Sequence, residues 1–304
     1  MSVEPQSMSP RARGILGVGL VLWSTVAVGI SPSLSKLALD SGANTLTVIA
    51  LRSLFMIVAV AVVLKAMGVS FAVDRSVLKI CLGTGVVFAV MSYGFLGSVE
   101  FIPVGLAILI FFLHPMLVAI AEPLLRRQRP ARQHIVWGLV ILAGLGLTLG
   151  FDLVGLDWRG IALALLGAVA CAAMIIGNAT AMRRAGTMLV NFYMVATSTV
   201  IVAVLLAATG ATALPGTGVG WVGILGTGAG FTVGLLCFFA AIPLIGAVRA
   251  TMISSIEPVL GILFAMAIFG EQMVLLQWFG VALVVGGLVG MEAPIRWNRA
   301  AQRA

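Results

Sequence analysis

Residues 107–149 read AILIFFLHPMLVAIAEPLLRRQRPARQHIVWGLVILAGLGLTL, and residues 249–291 read RATMISSIEPVLGILFAMAIFGEQMVLLQWFGVALVVGGLVGM. In both stretches an apolar segment carries an ionisable residue directly before a proline. The first stretch has the pair His114-Pro115 and the second has Glu257-Pro258, and the two pairs lie 143 positions apart. The match indicates that the second half of the chain repeats the first.

The correspondence extends beyond the prolines. After a short polar break, each stretch has an aromatic residue followed by glycine, at Trp137-Gly138 and at Phe279-Gly280, and a glycine-rich apolar segment comes next. These pairs lie 142 positions apart, so the register slips by a single residue. In a membrane protein such a duplication is typical of a transporter whose substrate site lies between the repeats.

The composition of the chain places it in a membrane. Of its 304 residues 61% are apolar and 9% are charged, and the mean hydropathy is +1.18. A soluble domain needs about 25% charged residues. The net charge of +8 does not indicate nucleic acid, because the basic residues lie in short connectors between apolar segments. The three cysteines form no CxxC pair and there are two histidines, so we predict no metal site and no cofactor.

Ten windows are long and apolar enough to cross a bilayer, which takes about 20 residues per helix. They lie near 14–39, 45–67, 76–97, 102–122, 133–151, 159–181, 187–209, 218–242, 246–269 and 273–291. We therefore predict an all-α integral membrane protein with ten transmembrane helices. Its parts are a tail at 1–13, a first repeat at 14–150, a linker at 151–158, a second repeat at 159–291 and a basic tail at 292–304.

The charge distribution gives the orientation. With the amino terminus in the cytoplasm, fifteen lysines and arginines lie inside, two (Lys36 and Arg159) lie outside, and Arg52 lies within a span. This bias predicts that both tails are cytoplasmic and that the linker is external. Because each repeat has five spans, an odd number, the second repeat enters the membrane from the opposite side. The repeats are therefore predicted to be inverted.

Three segments resemble a known family of transporters. They are YGFLGSVEFIPVGLAILIFFLHPM at 93–116, CFFAAIPLIGAVRATMISSIEPV at 237–259 and FGEQMVLLQWFGVALVVGGL at 269–288. With the ten-span plan, they resemble the EamA domain of the drug/metabolite transporter (DMT) superfamily, with one EamA unit in each half of the chain. The resemblance implies an inner-membrane transporter of small organic metabolites, often an exporter. It also implies a central cavity lined by spans one, three, four, six, eight and nine.

The first repeat departs from the family pattern at one place. Where the second repeat has Gly270-Glu271 after its fourth span, the first has Arg127-Gln128. An acidic residue at that place in the first repeat is therefore not expected to be essential.

Two ionisable residues near the middle of the membrane are the candidates for coupling. Glu257 lies about a dozen residues into the ninth span, roughly 15–18 Å from its end, and Pro258 frees a backbone carbonyl one turn earlier. The Glu257 carboxylate either couples transport to protons or binds a substrate amine, or it pins the helix kink. His114 is its counterpart in the fourth span, and its ring either relays a proton or bonds a neighbouring helix.

Arg52, in the second span, is the candidate anchor for a substrate carboxylate. A guanidinium presents a planar fork of donors that matches a carboxylate. Since Arg52 lies only a few residues from the outer end of its span, the alternative is that its side chain extends to the membrane interface.

Other polar and aromatic residues inside the spans are predicted to line the cavity. They are Trp23, Ser24, Tyr93, Asn178 and Phe238. Trp23 is the leading aromatic candidate because it lies midway along span one, whereas tryptophan ordinarily prefers the membrane interface. An interhelical hydrogen bond is the alternative for Asn178. The expected helix breaks are at Pro32, Pro115 and Pro258.

Glycines spaced four residues apart predict close helix packing. This spacing occurs at Gly146/Gly150 in span five, Gly226/Gly230/Gly234 in span eight and Gly286/Gly290 in span ten. Spans five and ten are therefore predicted to pair with each other or with another copy, which makes a homodimer a candidate assembly.

These observations predict a secondary transporter that moves a small organic metabolite across the inner membrane by alternating access. An amino acid or related compound is the expected cargo, with export favoured over uptake of a vitamin or other nutrient. No Walker motif is present, so a proton or substrate gradient would drive transport. An intramembrane enzyme is disfavoured, because the aspartates lie in or beside connectors and no HExxH or GxSxG motif occurs. A channel is disfavoured because the polar positions are isolated.

Overall fold

The computed structural model describes residues 10–149 and 157–292, and every regular element in these ranges is a helix. Thirteen helices follow one another there: α1 (Pro10–Gly29), α2 (Ser31–Asp40), α3 (Thr45–Ala66), α4 (Arg75–Ser98), α5 (Val104–Phe111), α6 (His114–Leu125), α7 (Arg132–Leu149), α8 (Trp158–Ala185), α9 (Thr187–Thr209), α10 (Gly218–Ile245), α11 (Ala247–Ser254), α12 (Glu257–Phe269) and α13 (Leu275–Glu292). The predicted all-α class is confirmed.

Seven helical stretches are long and apolar enough to cross a membrane. They are Arg11–Asp40, Thr45–Ala66, Arg75–Ser98, Val104–Leu125, Trp158–Ala185, Thr187–Thr209 and Gly218–Ile245. Three shorter apolar helices complete the set: Arg132–Thr148, Glu257–Phe269 and Leu275–Met291. The predicted tails and the predicted linker lie largely outside the described residues.

The bundle has two ends that the contacts define. At one, which we name the Asp40 end, Lys36 Nζ donates to Val99 O at 3.0 Å and Gly216 N donates to Ser41 O at 2.8 Å. These bonds join the end of α2 to the end of α4 and to the start of α10. The other end, which we name the Leu125 end, holds the last turns of α3, α6 and α8.

The packing partners reflect the duplication. The first repeat consists of α1 to α7 and the second of α8 to α13. Helix α4 packs against α8 and α9, and its counterpart α10 packs against α1 and α3. Helix α7 packs against α13, and α5 packs against α12. Exchanging the two repeats turns the α4 pairings into the α10 pairings and leaves the α7–α13 pairing unchanged, as expected for two related halves around a pseudo-twofold axis.

Glycines stand where these helices cross. A Cβ atom on Gly144 of α7 would lie 2.6 Å from the Gly280 carbonyl oxygen of α13, so only glycine permits this approach. The predicted pairing of spans five and ten is therefore present. One of the predicted glycines takes part in it, since a Cβ atom on Gly290 of α13 would collide with the Trp137 ring of α7. Gly146 and Gly286 face open space within the described structure. Residues two apart on a helix point about 200° apart, so Gly144 and Gly146 cannot both face α13.

Glu271 ties the two repeats together at the Asp40 end. Its carboxylate accepts hydrogen bonds from Val104 N at 2.7 Å and from Gly105 N at 3.1 Å, the first amides of α5. These amides lack helical partners, and the helix dipole makes this a favourable place for a negative charge. Glu271 follows α12 in the second repeat, whereas α5 belongs to the first, so this cap spans the repeat boundary.

We expect Gly144→Leu to lower the unfolding temperature of the protein in detergent. The new side chain would collide with the backbone of α13, and such overpacking costs about 1–3 kcal/mol. Gly146→Leu is the matched control, because it adds the same group on the open face of the same helix. Thermal unfolding followed by size-exclusion chromatography measures both variants. Equal unfolding temperatures in the two variants would contradict the assigned crossing.

Candidate functional site

Three of the apolar helical stretches are interrupted. The helix breaks between α1 and α2 at Ile30, between α5 and α6 at 112–113, and between α11 and α12 at 255–256. A proline stands at the start of each following helix: Pro32, Pro115 and Pro258. Proline has no amide hydrogen to donate, so it fits best in the first turn of a helix, where the amide has no helical partner. The chain therefore restarts its helices at these prolines.

The breaks border two adjoining pockets. The first, which we name the Arg52 pocket, is a cavity of about 80 Å³. Gly29, Ser31 and Pro32 line it at the α1–α2 break, and Glu257 lines it at the start of α12. Arg52 of α3 and Ser92 of α4 complete the polar wall of this pocket. Most of the remaining lining is aromatic or aliphatic.

The second pocket, which we name the His114 pocket, is a cavity of about 360 Å³ that extends toward the Leu125 end. His114 and Pro115 line it at the start of α6, and Ser254 and Ser255 line it at the α11–α12 break. The two pockets share one wall, formed by Met91, Phe111, Phe112, Phe231 and Glu257. A layer of apolar side chains thus separates two spaces, and Glu257 faces both.

Arg52 is held inside the protein. Only 6% of its surface is exposed, so it does not extend to the membrane interface. Its Nη2 donates to Ser92 Oγ at 3.3 Å, and its guanidinium lies 4.9 Å from the centre of the Phe231 ring. Among the described residues no carboxylate forms an ion pair with Arg52. The pocket therefore contains a positive charge that the protein itself does not neutralise.

Glu257 opens α12 and is partly exposed to the pockets. As the first residue of that helix, its carboxylate lies near the positive end of the helix dipole. Within the described ranges no hydrogen bond or ion pair to this carboxylate is present. It is therefore free to bind a proton or a cationic group that enters the pockets.

His114 is only partly buried and bonds within its own span. Its Nδ1 lies 3.0 Å from Phe111 O, and its ring contacts the rings of Phe111 and Phe112 at centroid distances of 5.0 and 5.6 Å. The bond to Phe111 O requires a proton on Nδ1. In the neutral ring Nε2 then carries no proton and can accept one. The structure brings His114 and Glu257 to the same pocket.

Four candidates lie apart from both pockets. Trp23 is 60% exposed and Tyr93 is 45% exposed, and neither lines these two spaces. Ser24 is buried at the crossing of α1 with α10, where its carbonyl oxygen faces Gly234. Phe238 packs against the cluster that contains Val21. In the structure Trp23 and Tyr93 are therefore exposed on the surface of the bundle, and Ser24 and Phe238 pack between helices.

Asn178 connects three helices. It is fully buried, its Oδ1 accepts a hydrogen bond from Thr84 Oγ1 at 2.8 Å, and its Nδ2 donates to Met194 Sδ at 3.0 Å. These bonds join α8 to α4 and α9. The geometry is that of the interhelical hydrogen bond.

Ser92 and Phe231 are pocket residues that the sequence did not single out. Ser92 is next to Tyr93, which the sequence favours, but neighbouring residues on a helix point about 100° apart. The signal lies in the spacing: Phe88, Met91 and Phe95 of α4 also line the pockets, at helical intervals of three and four. Ser92 belongs to that face and Tyr93 does not.

No group of three or more histidine, cysteine or acidic side chains that could hold a metal ion occurs within residues 10–149 and 157–292.

Comparisons with known proteins agree with this geometry. A solved structure titled only "Crystal structure of protein" is similar in fold, with a TM-score of 0.63 over 90% of this chain and 96% of its own, at 18% sequence identity. No protein in the curated set matches the chain significantly. The profile of the EamA-like transporter family matches residues 15–150 and again residues 158–292. The chain therefore belongs to the EamA-like transporter family and is built from two EamA repeats.

Proposed function

We propose that the protein is a secondary transporter that moves a small organic metabolite across the inner membrane by alternating access. The observation that carries this proposal is the meeting of helix breaks from both repeats at one pair of pockets. Secondary transporters use broken helices to present backbone groups and polar side chains to substrates and ions near the midplane. Such breaks are tolerated in a membrane only where they line a cavity or are buried in protein.

Ten spans in two inverted units of five account for the helices. In the second repeat, α11 and α12 together form one span, and α7 and α13, with 18 residues each, are about 27 Å long. That length is close to the hydrocarbon thickness of a bilayer, about 30 Å. The excess of lysine and arginine supports a cytoplasmic Leu125 end and cytoplasmic tails.

The two ends of the pockets differ in the way that alternating access requires. Toward the Asp40 end, Ser31, Arg52 and Ser92 are all at least nine-tenths buried, and the Glu271 cap joins the repeats above them. Toward the Leu125 end, the lining of the larger pocket includes, beside buried residues, the partly exposed His114, Pro115 and Ser254. We infer that the Asp40 end is closed and that release of the Glu271 cap accompanies its opening.

Glu257 is the proposed coupling residue. It faces both pockets and has no partner among the described side chains, so its proton can exchange with either side as access alternates. His114 would accept that proton on the cytoplasmic side. An amino acid or related compound is the proposed cargo, and export is the direction that the resemblance to metabolite exporters favours.

We expect Glu257→Gln to abolish pH-driven accumulation while substrate exchange continues, because glutamine fills the same space but cannot bind a proton. The assay uses purified protein in liposomes and a metabolite that a screen of uptake and efflux in overexpressing cells has identified. Glu122→Gln is the control, since Glu122 forms a surface ion pair with Arg126 at 2.9 Å. Unchanged dependence on the proton gradient in the Glu257 variant would remove this role.

We also expect Glu271→Ala to open the Asp40 end more often. Loss of a cap costs about 1 kcal/mol, which shifts a two-state equilibrium about fivefold. The reporter is a cysteine at Ser31, in a chain whose native cysteines are replaced by alanine, labelled with an impermeant maleimide from the Asp40 side. Gln272→Ala is the control, because its exposed side chain is next to Glu271. Equal labelling rates in the two variants would contradict the proposal that the Glu271 cap holds the Asp40 end closed.

A further inference from the structure

The positive charge of Arg52 in the Arg52 pocket has no carboxylate partner among the described residues. Arg52 is buried, with only 6% of its surface exposed. Among the described residues, its guanidinium makes a single long hydrogen bond, to Ser92 Oγ at 3.3 Å. A guanidinium has five N–H donors, so most of its donor capacity is unused by the described residues. A buried charge without a partner is costly, and side chains of this kind inside membranes usually mark a substrate or ion pathway.

Glu257 does not supply the missing partner. It lines the same pocket, yet no ion pair joins the two side chains within the described structure. The guanidinium carbon of Arg52 lies 4.9 Å from the centre of the Phe231 ring. This cation–π contact uses none of the N–H donors, so they remain available for a planar partner. Planar bidentate bonding to these donors is the geometry that a carboxylate satisfies.

The rest of the pocket selects an apolar body. Its lining includes Phe95, Phe111 and Phe112, and the Phe95 and Phe111 rings stack with centroids 4.3 Å apart. Such walls favour an aromatic or branched aliphatic group over a hydrated one. The second charge in the pocket is the carboxyl group of Glu257, which would repel a second acid on the ligand.

We propose that Arg52, Ser92 and the Phe231 ring form a carboxylate subsite, so that the transported solute is an apolar compound with one carboxylate. This rests on the proposed transport function for its biological meaning, but binding can be measured without transport. In this arrangement Arg52 and Ser92 bind the carboxylate, the phenylalanines hold the apolar body, and an amine on the solute is tolerated near Glu257 but is not required.

Three ligands with one apolar body test the subsite on the unmodified protein. They are 3-phenylpropionate, which has only the acid, phenethylamine, which has only the amine, and phenylalanine, which has both. We expect 3-phenylpropionate to raise the unfolding temperature in a saturable way, phenylalanine to do the same, and phenethylamine to leave it unchanged. The proposal is overturned if 3-phenylpropionate does not stabilise the protein, or if phenethylamine stabilises it as much as the acids do.

Substitutions then assign the effect to Arg52. We expect Arg52→Gln to weaken binding of the acid at least about 30-fold, as loss of one partner of a buried charged pair does. Arg52→Lys keeps the charge without the planar fork, so it should bind with intermediate affinity. Arg159→Gln removes an exposed arginine outside the pockets and should leave binding unchanged. Full acid binding by Arg52→Gln overturns the proposal.

Should Arg52→Gln fail to fold, the ligand series on the unmodified protein and the lysine variant still decide. Flux in liposomes is a separate measurement. Binding of the acids without saturable flux of any solute would contradict the transport function but not the carboxylate subsite. Saturable flux of solutes that lack a carboxylate would contradict the subsite but not the transport function.

Discussion

A peptide group in the hydrocarbon layer of a membrane finds no water, so each amide and carbonyl there must bond within the protein. Continuous helices meet this requirement along most of the described chain. The interruptions at 30, 112–113 and 255–256 occur where residues beside them, including Gly29, Phe112 and Glu257, line the pockets. The need to bond every backbone group therefore fixes where the helices can break, and with it where a solute can be held.

Much of this could be predicted from the sequence, because the signals are local. Apolar windows of sufficient length mark the helices, and prolines after His114 and Glu257 mark two of the breaks. The choice of cavity-facing residues is harder. In a membrane both the lipid-facing and the packed surfaces of a helix are apolar, so no amphipathic period tells them apart. For this reason the sequence favours Trp23 as a cavity residue, although its side chain is 60% exposed in the structure.

The repeats are related but not equivalent. The first span is broken between α1 and α2, whereas its counterpart α8 is continuous over 28 residues. Histidine stands at position 114 where the second repeat has Glu257, and the acid that caps α5, Glu271, has Gln128 as its counterpart. Exchange of the two halves therefore does not give states of equal energy. In the proposed mechanism an inverted duplication supplies the two conformations, and these substitutions set the bias between them.

The central claim is that the two ends of the pockets open alternately. Spin labels at Asp40 and Gln272 report the Asp40 end, and labels at Leu125 and Arg249 report the opposite end, since these sites are exposed. In lipid nanodiscs, electron–electron resonance distances for each pair measure opening with and without substrate. We expect one distance to lengthen as the other shortens. If both ends widen together, or if neither distance changes on addition of substrate, the alternating-access mechanism is wrong.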